Sequence, residues 1–325
     1  MKNPFQFYDP STGGINQNSL GYQQLITTLT AVAQKVSVQK FYEIAFADYV
    51  PVVMGNGAYQ RQIINWRTYL KGEGFDTGVI SNASNSSRLA HVDAAYDQIP
   101  QVIYSWAKGM AYNIFELEEA MRANTLFSLI EARETARRKE WELGIQKIAF
   151  LGYEDSKGLL NQADATVNLT TITKPISSMT AVEFNAFAGS VYEVYRANSS
   201  RTARPTHLAL PEKDWNGLIN FPDATFPLKT KLELLEAAFK SVTMNSAFKI
   251  MPCAYADAEN FDGVNNRYAM YNYDETSLKM DLPIDYTMTQ AGTVNGFTWE
   301  NVAFGQFTGV VAQRPKELLY FQYAV

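Results

Sequence analysis

The sequence predicts an α+β protein whose body carries two projecting parts. Three observations lead there. Gln60 to Leu70 alternates apolar and polar residues, and a second alternating run returns beyond a Gly/Ser/Asn-rich stretch, which together read as a long β-hairpin. A charge-dense helical run from about 126 to 150 halts at Gly152. From Ser277 onward the chain is dominated by short alternating segments separated by turn residues.

In order along the chain, residues 1–24 are polar, turn-rich and dotted with aromatics (Phe5, Phe7, Tyr8), too poor in apolar residues to build a core of their own. Leu25 to about Phe46 reads as helical or mixed, and Tyr49, Pro51 and Val52 lead into an extended region. The β excursion spans about 57–108. Ile64, Trp66 and Leu70 share one face of its first strand, with Arg61, Arg67 and Tyr69 on the other; the tip holds Gly72, Gly74 and Gly78 followed by ISNASNSS; the run QIPQVIYSWA returns through Val102, Tyr104 and Trp106. A hairpin alone is marginal in water, so this one must lean on something else.

Asn113 followed by Glu116 is a capping-box pattern that opens a short helix to about Ala123. Ile114, Leu117 and Met121 form one stripe, whereas Leu126, Leu129, Ile130, Trp141, Ile145 and Ile148 form another, so two helices are predicted, with Thr125 capping the second. The second is roughly 37 Å long at ~1.5 Å per residue. Its polar face carries Glu131, Glu134, Arg138 and Glu142. After Gly152 the turn YEDSKG opens into Gly158-Leu159-Leu160-Asn161. Strands are predicted at Thr166–Thr173, Pro205–Pro211, Ala247–Tyr255, Arg267–Tyr273, Thr308–Ala312 and Leu318–Tyr323. Helices are predicted at Thr180–Ala197, with Phe184, Phe187, Val191 and Val194 on one side, and at Glu212–Ile219 and Lys231–Phe239, split by a loop with Phe221, Pro222, Phe226 and Pro227. Ser277 to Val311 is mostly β, with a tip at Gly292–Gly296.

Length and charge bound the function. The 325 residues suffice for one large or two moderate domains, and no repeat or linker divides them. A net charge of −5 argues against a dedicated nucleic-acid binder. With one cysteine, Cys253, no intrachain disulfide can form, and no Cys/His cluster has zinc spacing. The start MKNPFQFYDP lacks the apolar segment of a signal peptide, and no run of about 18 apolar residues predicts a membrane span. The Asn-X-Ser/Thr matches at Asn82 and Asn168 therefore carry no glycosylation meaning in a reducing compartment.

Catalytic chemistry is not visible. His91 sits near a polar loop and His207 inside an apolar strand, more than 100 residues apart. Cys253 reads as a small buried hydrophobe. There is no Gly-x-Ser-x-Gly elbow and no Walker loop, and Gly72, Gly74 and Gly78 have neither the spacing nor the following helix to cradle phosphate. No enzyme activity and no cofactor or metal is expected.

The order of parts resembles the major capsid protein of tailed bacteriophages, the Hong Kong 97-type fold. The passage Trp141 to Asn161, long helix to GLLN, is similar to a recurrent feature of that group, as is the ending Trp299-Glu-Asn-Val…Gly309-Val-Val-Ala-Gln-Arg-Pro315. The resemblance implies an N-terminal arm (1–50), an extended loop lying over a neighbouring subunit (51–110), a peripheral domain (111–167) with a spine helix at 126–150, an axial domain (168–275), and peripheral β strands returning to the axial domain (276–325). It implies a shell of hexamers and pentamers of this chain, with a portal and a scaffolding or decoration protein as further partners, non-specific contact with packaged double-stranded DNA, no membrane, and assembly in the host bacterial cytoplasm. An encapsulin-type compartment for protein cargo shares the fold and is the alternative. Phe5, Phe7 and Tyr8 would anchor the arm, and Trp66, Leu70 and Trp106 the loop. Arg61, Arg67, Lys71 and Arg88 would meet acidic groups of the neighbour such as Glu131 and Glu134. A 24-residue arm could reach roughly 80 Å at ~3.3 Å per residue, and its deletion is expected to leave a folded subunit that forms no shells. Neither a fused N-terminal scaffold nor N-terminal cleavage is expected, and no Lys71 crosslink is assigned.

Overall fold

The computed structural model describes residues 8–9, 14–15, 40–71, 93–122, 129–220, 229–293 and 295–324. Phe5, Phe7, the run from Leu25, the hairpin tip, Arg88, His91, the Thr125 cap and the loop from Phe221 to Pro227 lie outside the described residues, and the side chains of Tyr8, Leu70 and Lys71 do too.

Strand β1 (Tyr8–Asp9) pairs with β2 (Gly14–Ile15). The segment around Tyr42 and Ile44 lies against the spine helix, where Gln146 Nε2 donates to the carbonyl of Tyr42 at 3.1 Å and its Oε1 accepts from Ile44 N. Strand β3 (Val52–Met54) leads to the hairpin of β4 (Gln62–Lys71) and β5 (Asp93–Val102), paired antiparallel in unbroken register from Gln62↔Val102 to Lys71↔Asp93. Strand β6 (Tyr104–Asn113) is a separate element. The run read as one returning strand, QIPQVIYSWA, is therefore two: β5 belongs to the hairpin, and after Ile103 the chain changes partner, so that β6 pairs through its whole length with the late strand at 298–307. Trp106 consequently lies in the body, 5.3 Å from Trp141.

Helix α1 (Ile114–Arg122) begins with the predicted reciprocal cap: Glu116 N donates to Asn113 Oδ1 at 2.9 Å and Asn113 N to Glu116 Oε2 at 3.2 Å. Arg133 pairs with the same Glu116, joining α1 to the spine helix α2 (Leu129–Leu151). Trp141, Ile145 and Ile148 are buried as the stripe predicted. Strand β7 (Thr166–Asn168) is shorter than the alternation suggested, because the Asn168 side chain accepts from Thr170 N and Thr171 N and turns the chain. Helix α3 (Ala181–Asn198) carries a Thr180–Glu183 capping box and buries Phe184, Phe187 and Val191. Strand β8 (His207–Pro211), helix α4 (Glu212–Gly217), helix α5 (Lys231–Thr243), strand β9 (Lys249–Cys253), the short helix α6 (Ala258–Phe261) and strand β10 (Asn265–Tyr271) follow.

The C-terminal part is not one hairpin. Strand β11 (Leu278–Leu282) lies between β3 and β15 (Val310–Ala312), whereas past Pro283 strand β12 (Ile284–Met288) joins β13 (Gly292–Thr293) and β6 on β14 (Thr298–Phe307). Strand β16 (Leu318–Ala324) ends the chain and enters a mixed five-stranded sheet of order β7-β16-β10-β8-β9.

That sheet divides two cores by simple alternation. Leu208, Leu210, Tyr268, Met270, Leu319 and Phe321 meet α3 and α5 on one face. Ala209, Ala269, Tyr271, Leu318 and Tyr320 meet the end of the spine helix on the other. Cys253 is fully buried in the second core, as read.

His207 stacks on Tyr271 and Tyr273, with centroids 5.7 and 4.8 Å away. Burial pushes its pKa down to about 4, with Lys249 acting in the same direction and Asp48 against it. Between the ordinary value near 6.5 and about 4 the unfolded chain takes up a proton that the folded chain refuses, so stability is lost as pH falls through that window and levels off below it. The loss is bounded at about 3 kcal/mol. Unfolding free energies of the dissociated subunit from pH 7 to 4, wild type against His207→Gln, are expected to converge as pH falls; a difference independent of pH would refute the assignment.

Candidate functional site

Two features bear on function, the junction at the end of the spine helix and the faces of the hairpin. An α-helix leaves its last four carbonyls without partners. In α2 each one is met. Gly152 N donates to Ile148 O at 2.8 Å, Leu159 N to Ala149 O at 2.8 Å, Leu160 N to Phe150 O at 3.0 Å, and Asn161 Nδ2 to Leu151 O at 2.6 Å. Gly152 takes φ +80°, and the intervening turn closes through reciprocal Tyr153–Ser156 backbone bonds. Asn161 Oδ1 in turn accepts from Gly158 N. The GLLN segment is thus a detached cap, with Leu159 and Leu160 fully buried beneath it.

The same segment ties the body together. Val310 N donates to Lys157 O at 2.7 Å, and Gln162 Nε2 donates to the carbonyls of Gly158 and Val310. Tyr320 OH donates to Leu159 O, and Arg267, stacked between Phe261 and Tyr320, donates to Leu160 O. The spine helix, the β3-β11-β15 sheet and the five-stranded sheet therefore meet at one point.

Trp141 and Arg137 bolt the spine helix to the β6-β14 sheet. The Trp141 ring lies over Gly305, where a Cβ would come within 2.4 Å of it. Arg137, 4% exposed, donates to the carbonyls of Lys108 and Asn301 and to Tyr286 OH, and pairs with Glu134. Arg137 was not singled out by sequence, although it falls on the same stripe as Trp141 and Ile145.

The hairpin carries its largest apolar side chains on the face turned away from the body. Its body-facing side mixes the half-buried Ile63 and Ile99 with Asn65, Arg67, Asp97 and Gln101, whereas its outer side presents the large exposed side chains Ile64, Trp66, Tyr96 and Val102 among Gln62, Thr68 and Gln98. Trp66 is 59% exposed, Tyr96 67% and Ile64 48%. An apolar stripe left exposed among the described residues marks a contact surface.

The remaining predicted contact residues fall as follows. Arg61 is exposed at the hairpin root, where its carbonyl accepts from Ile103 N. Arg67 is paired with Asp97 directly across the hairpin. Lys71 ends β4. Glu131 is exposed in the first turn of α2. Glu134 accepts from Tyr286 OH at 2.6 Å and pairs with Arg137, so both its oxygens have partners within the chain. Among the described residues no group of His, Cys, Asp and Glu could hold a metal ion, and no helix is long and apolar enough to cross a membrane.

A family model described as "Major capsid protein" matches residues 77–323. The chain belongs to the major capsid protein family. This capsid protein is similar in fold to a chain of the capsid of Myoviridae phage XM1, with a TM-score of 0.74 and 13% identity over 91% of this chain and 97% of that one. A chain from Mycobacterium phage Bobi gives a TM-score of 0.56 at 10% identity over 93% and 98% of the two chains. A chain of the capsid of a native GTA particle gives 0.55 at 10% over 92% and 96%. A search of curated proteins by sequence found no match. The fold is the Hong Kong 97-type capsid fold, and the capsid protein is a structural shell component, not an enzyme, that assembles with copies of itself into a virion shell.

Proposed function

We propose that this capsid protein closes, as hexamers and pentamers, into the icosahedral head of a tailed bacteriophage around packaged double-stranded DNA, inside the host cytoplasm. A portal protein and a scaffolding or decoration protein complete the particle. Residues 1–50 act as the arm, the hairpin from 62 to 102 within the 51–110 segment as the loop that lies over the next copy, and 111–167 with the strands from 276 on as the peripheral part, whose last strand, 318–324, returns to the axial part. The axial part, 168–275, surrounds the five-fold and six-fold axes. Phe5, Phe7 and Tyr8 of the arm, and Arg61, Trp66, Lys71 and Arg88 of the loop, meet the neighbour, whose spine offers Glu131; Arg67 and Glu134, expected to join that contact, are instead engaged within their own chain.

The observation that carries this is the outer face of the hairpin, where Ile64, Trp66 and Tyr96 stand exposed while the buried amides Asn65 and Gln101 hold the opposite face. Closure multiplies many such modest contacts, so no single one need be strong. The chain expressed alone or with a scaffolding protein is expected to sediment as closed particles and to show rings of five and six subunits in negative stain. A monomer or small fixed oligomer under both conditions would refute the proposal.

A further inference from the structure

Among the described side chains of β4 and β5 only Asn65 and Gln101 are buried, each 6% exposed. They lie on one face of the ribbon, Asn65 opposite Ile99 and Gln101 opposite Ile63. Asn65 Nδ2 donates to Gln101 Oε1 at 3.2 Å, and Asn65 Oδ1 accepts from Gln313 Nε2 at 3.3 Å. Gln101 Nε2 donates to Thr308 Oγ1 at 2.8 Å and to Gly309 O at 2.6 Å. Thr308, with no exposure, donates its hydroxyl proton to Asp281 O at 2.8 Å and accepts from Asp281 N at 3.1 Å. The Asp281 carboxylate, also without exposure, is held by Asn56 Nδ2 at 2.9 Å and by Lys279 at 3.3 Å. A continuous chain of directional bonds thus runs from the hairpin into the β3-β11-β15 sheet.

Apolar contact is non-directional and would let a two-stranded ribbon slide or tilt on its seat. Buried amides do not allow that, because any rotation about the root leaves a donor without its acceptor. We propose that Asn65, Gln101 and Thr308 are positioning residues that set the angle at which the hairpin leaves the body, and so aim its apolar outer face at a second copy. This rests on the outer face being the contact surface. The two claims separate by experiment, since Trp66→Ala alters the face and leaves the amides intact.

The double variant Asn65→Leu/Gln101→Leu replaces both amides by apolar side chains of similar size and leaves no unpaired donor in the hairpin. Its dissociated subunit is expected to melt within a few degrees of wild type. The Ile103 amide, bonded to Arg61 O at 3.0 Å at the root, is expected to exchange at least ~10-fold faster. Shell yield at fixed concentration is expected to fall at least ~10-fold, about 1.4 kcal/mol. Thr308→Val cuts the chain from the body side but also leaves the buried Asp281 N–H without its acceptor, so its loss of shells is read against the Val191 control at matched stability, whereas Thr308→Ser keeps the hydroxyl and should assemble as wild type. Val191→Ala, in the other core, serves as a destabilised control that still forms shells. Wild-type shell yield from the double variant would overturn the proposal, and so would equal loss of shells from the Val191 control at matched stability. Wild-type shells from Trp66→Ala would instead overturn the role of the outer face.

Discussion

Gly158→Ala is expected to cost on the order of 4–5 kcal/mol and to leave little folded subunit. A Cβ at this position would lie 2.3 Å from the Phe150 carbonyl carbon, 2.4 Å from its oxygen and 2.5 Å from Leu151 N. These are backbone atoms of the last helical turn, so no side chain can swing aside. Relief requires the hook to back away from the helix. Leu159 N and Leu160 N would then lose the carbonyls of Ala149 and Phe150, and Asn161 would lose Leu151 O. Each buried carbonyl left without a donor costs about 1–3 kcal/mol. Leu159 and Leu160, which have no exposure, would be drawn from the core where three elements meet, and a buried leucine contributes about 1.5–3 kcal/mol. The measurement is equilibrium denaturation of the dissociated subunit. Gly189→Ala is the internal control: it lies inside α3, its Cβ would meet nothing within 4 Å, and it should gain about 0.5–1 kcal/mol in the same assay. A Gly158→Ala midpoint within ~0.5 kcal/mol of wild type would show that the hook does not cap the helix.

That hook also shows what kind of information a sequence holds. Gly152 as a helix stop, Asn113 with Glu116 as a cap, and Phe184, Phe187 and Val191 as a buried stripe are local patterns, and each was legible. The role of Asn161 was not, because its partner Leu151 O lies ten residues back across a turn whose geometry depends on Gly152 and Ser156. The change of partner at Ile103 was invisible for a related reason. Alternation continues from Val102 through Tyr104 and Trp106, and a period of two reports which face a residue takes, not which strand pairs with it. Arg137 was hidden by its neighbours. In a run as charged as Arg133 to Glu142 a guanidinium reads as solvated, yet its spacing of four from Trp141 puts it on the buried stripe, and that was the available signal. Of the candidate contact residues, Trp66 was placed on the face of Ile64 by alternation, but that this apolar face stands exposed is set by how the hairpin sits on the body. The engagement of Glu134 by Tyr286 and Arg137 followed from β12, whose placement beside the helix no local pattern announces.

The triple variant Ile64→Ser/Trp66→Ser/Tyr96→Ser is expected to abolish shells while leaving the subunit folded. All three side chains stand on the outer face of the hairpin, at 48%, 59% and 67% exposure, so removing them takes little from the isolated chain. Exposed substitutions of this kind usually change stability by less than about 0.5 kcal/mol each. At an interface the arithmetic differs, because a central tryptophan alone can contribute about 2 kcal/mol or more per contact, a factor of roughly 30 in association. Every copy in a closed shell makes the contact, and the losses compound through the lattice. The threshold concentration for assembly, read by sedimentation or light scattering, should rise at least ~100-fold, with the unfolding midpoint of the dissociated subunit unchanged. Polar replacements are chosen over alanine so that the face cannot be reburied by collapse onto the body. If the subunit instead loses more than about 2 kcal/mol, the stripe packs on its own chain. If shells form at wild-type concentrations, the apolar face is not what joins one copy to the next, and the contact must lie elsewhere on the peripheral surface.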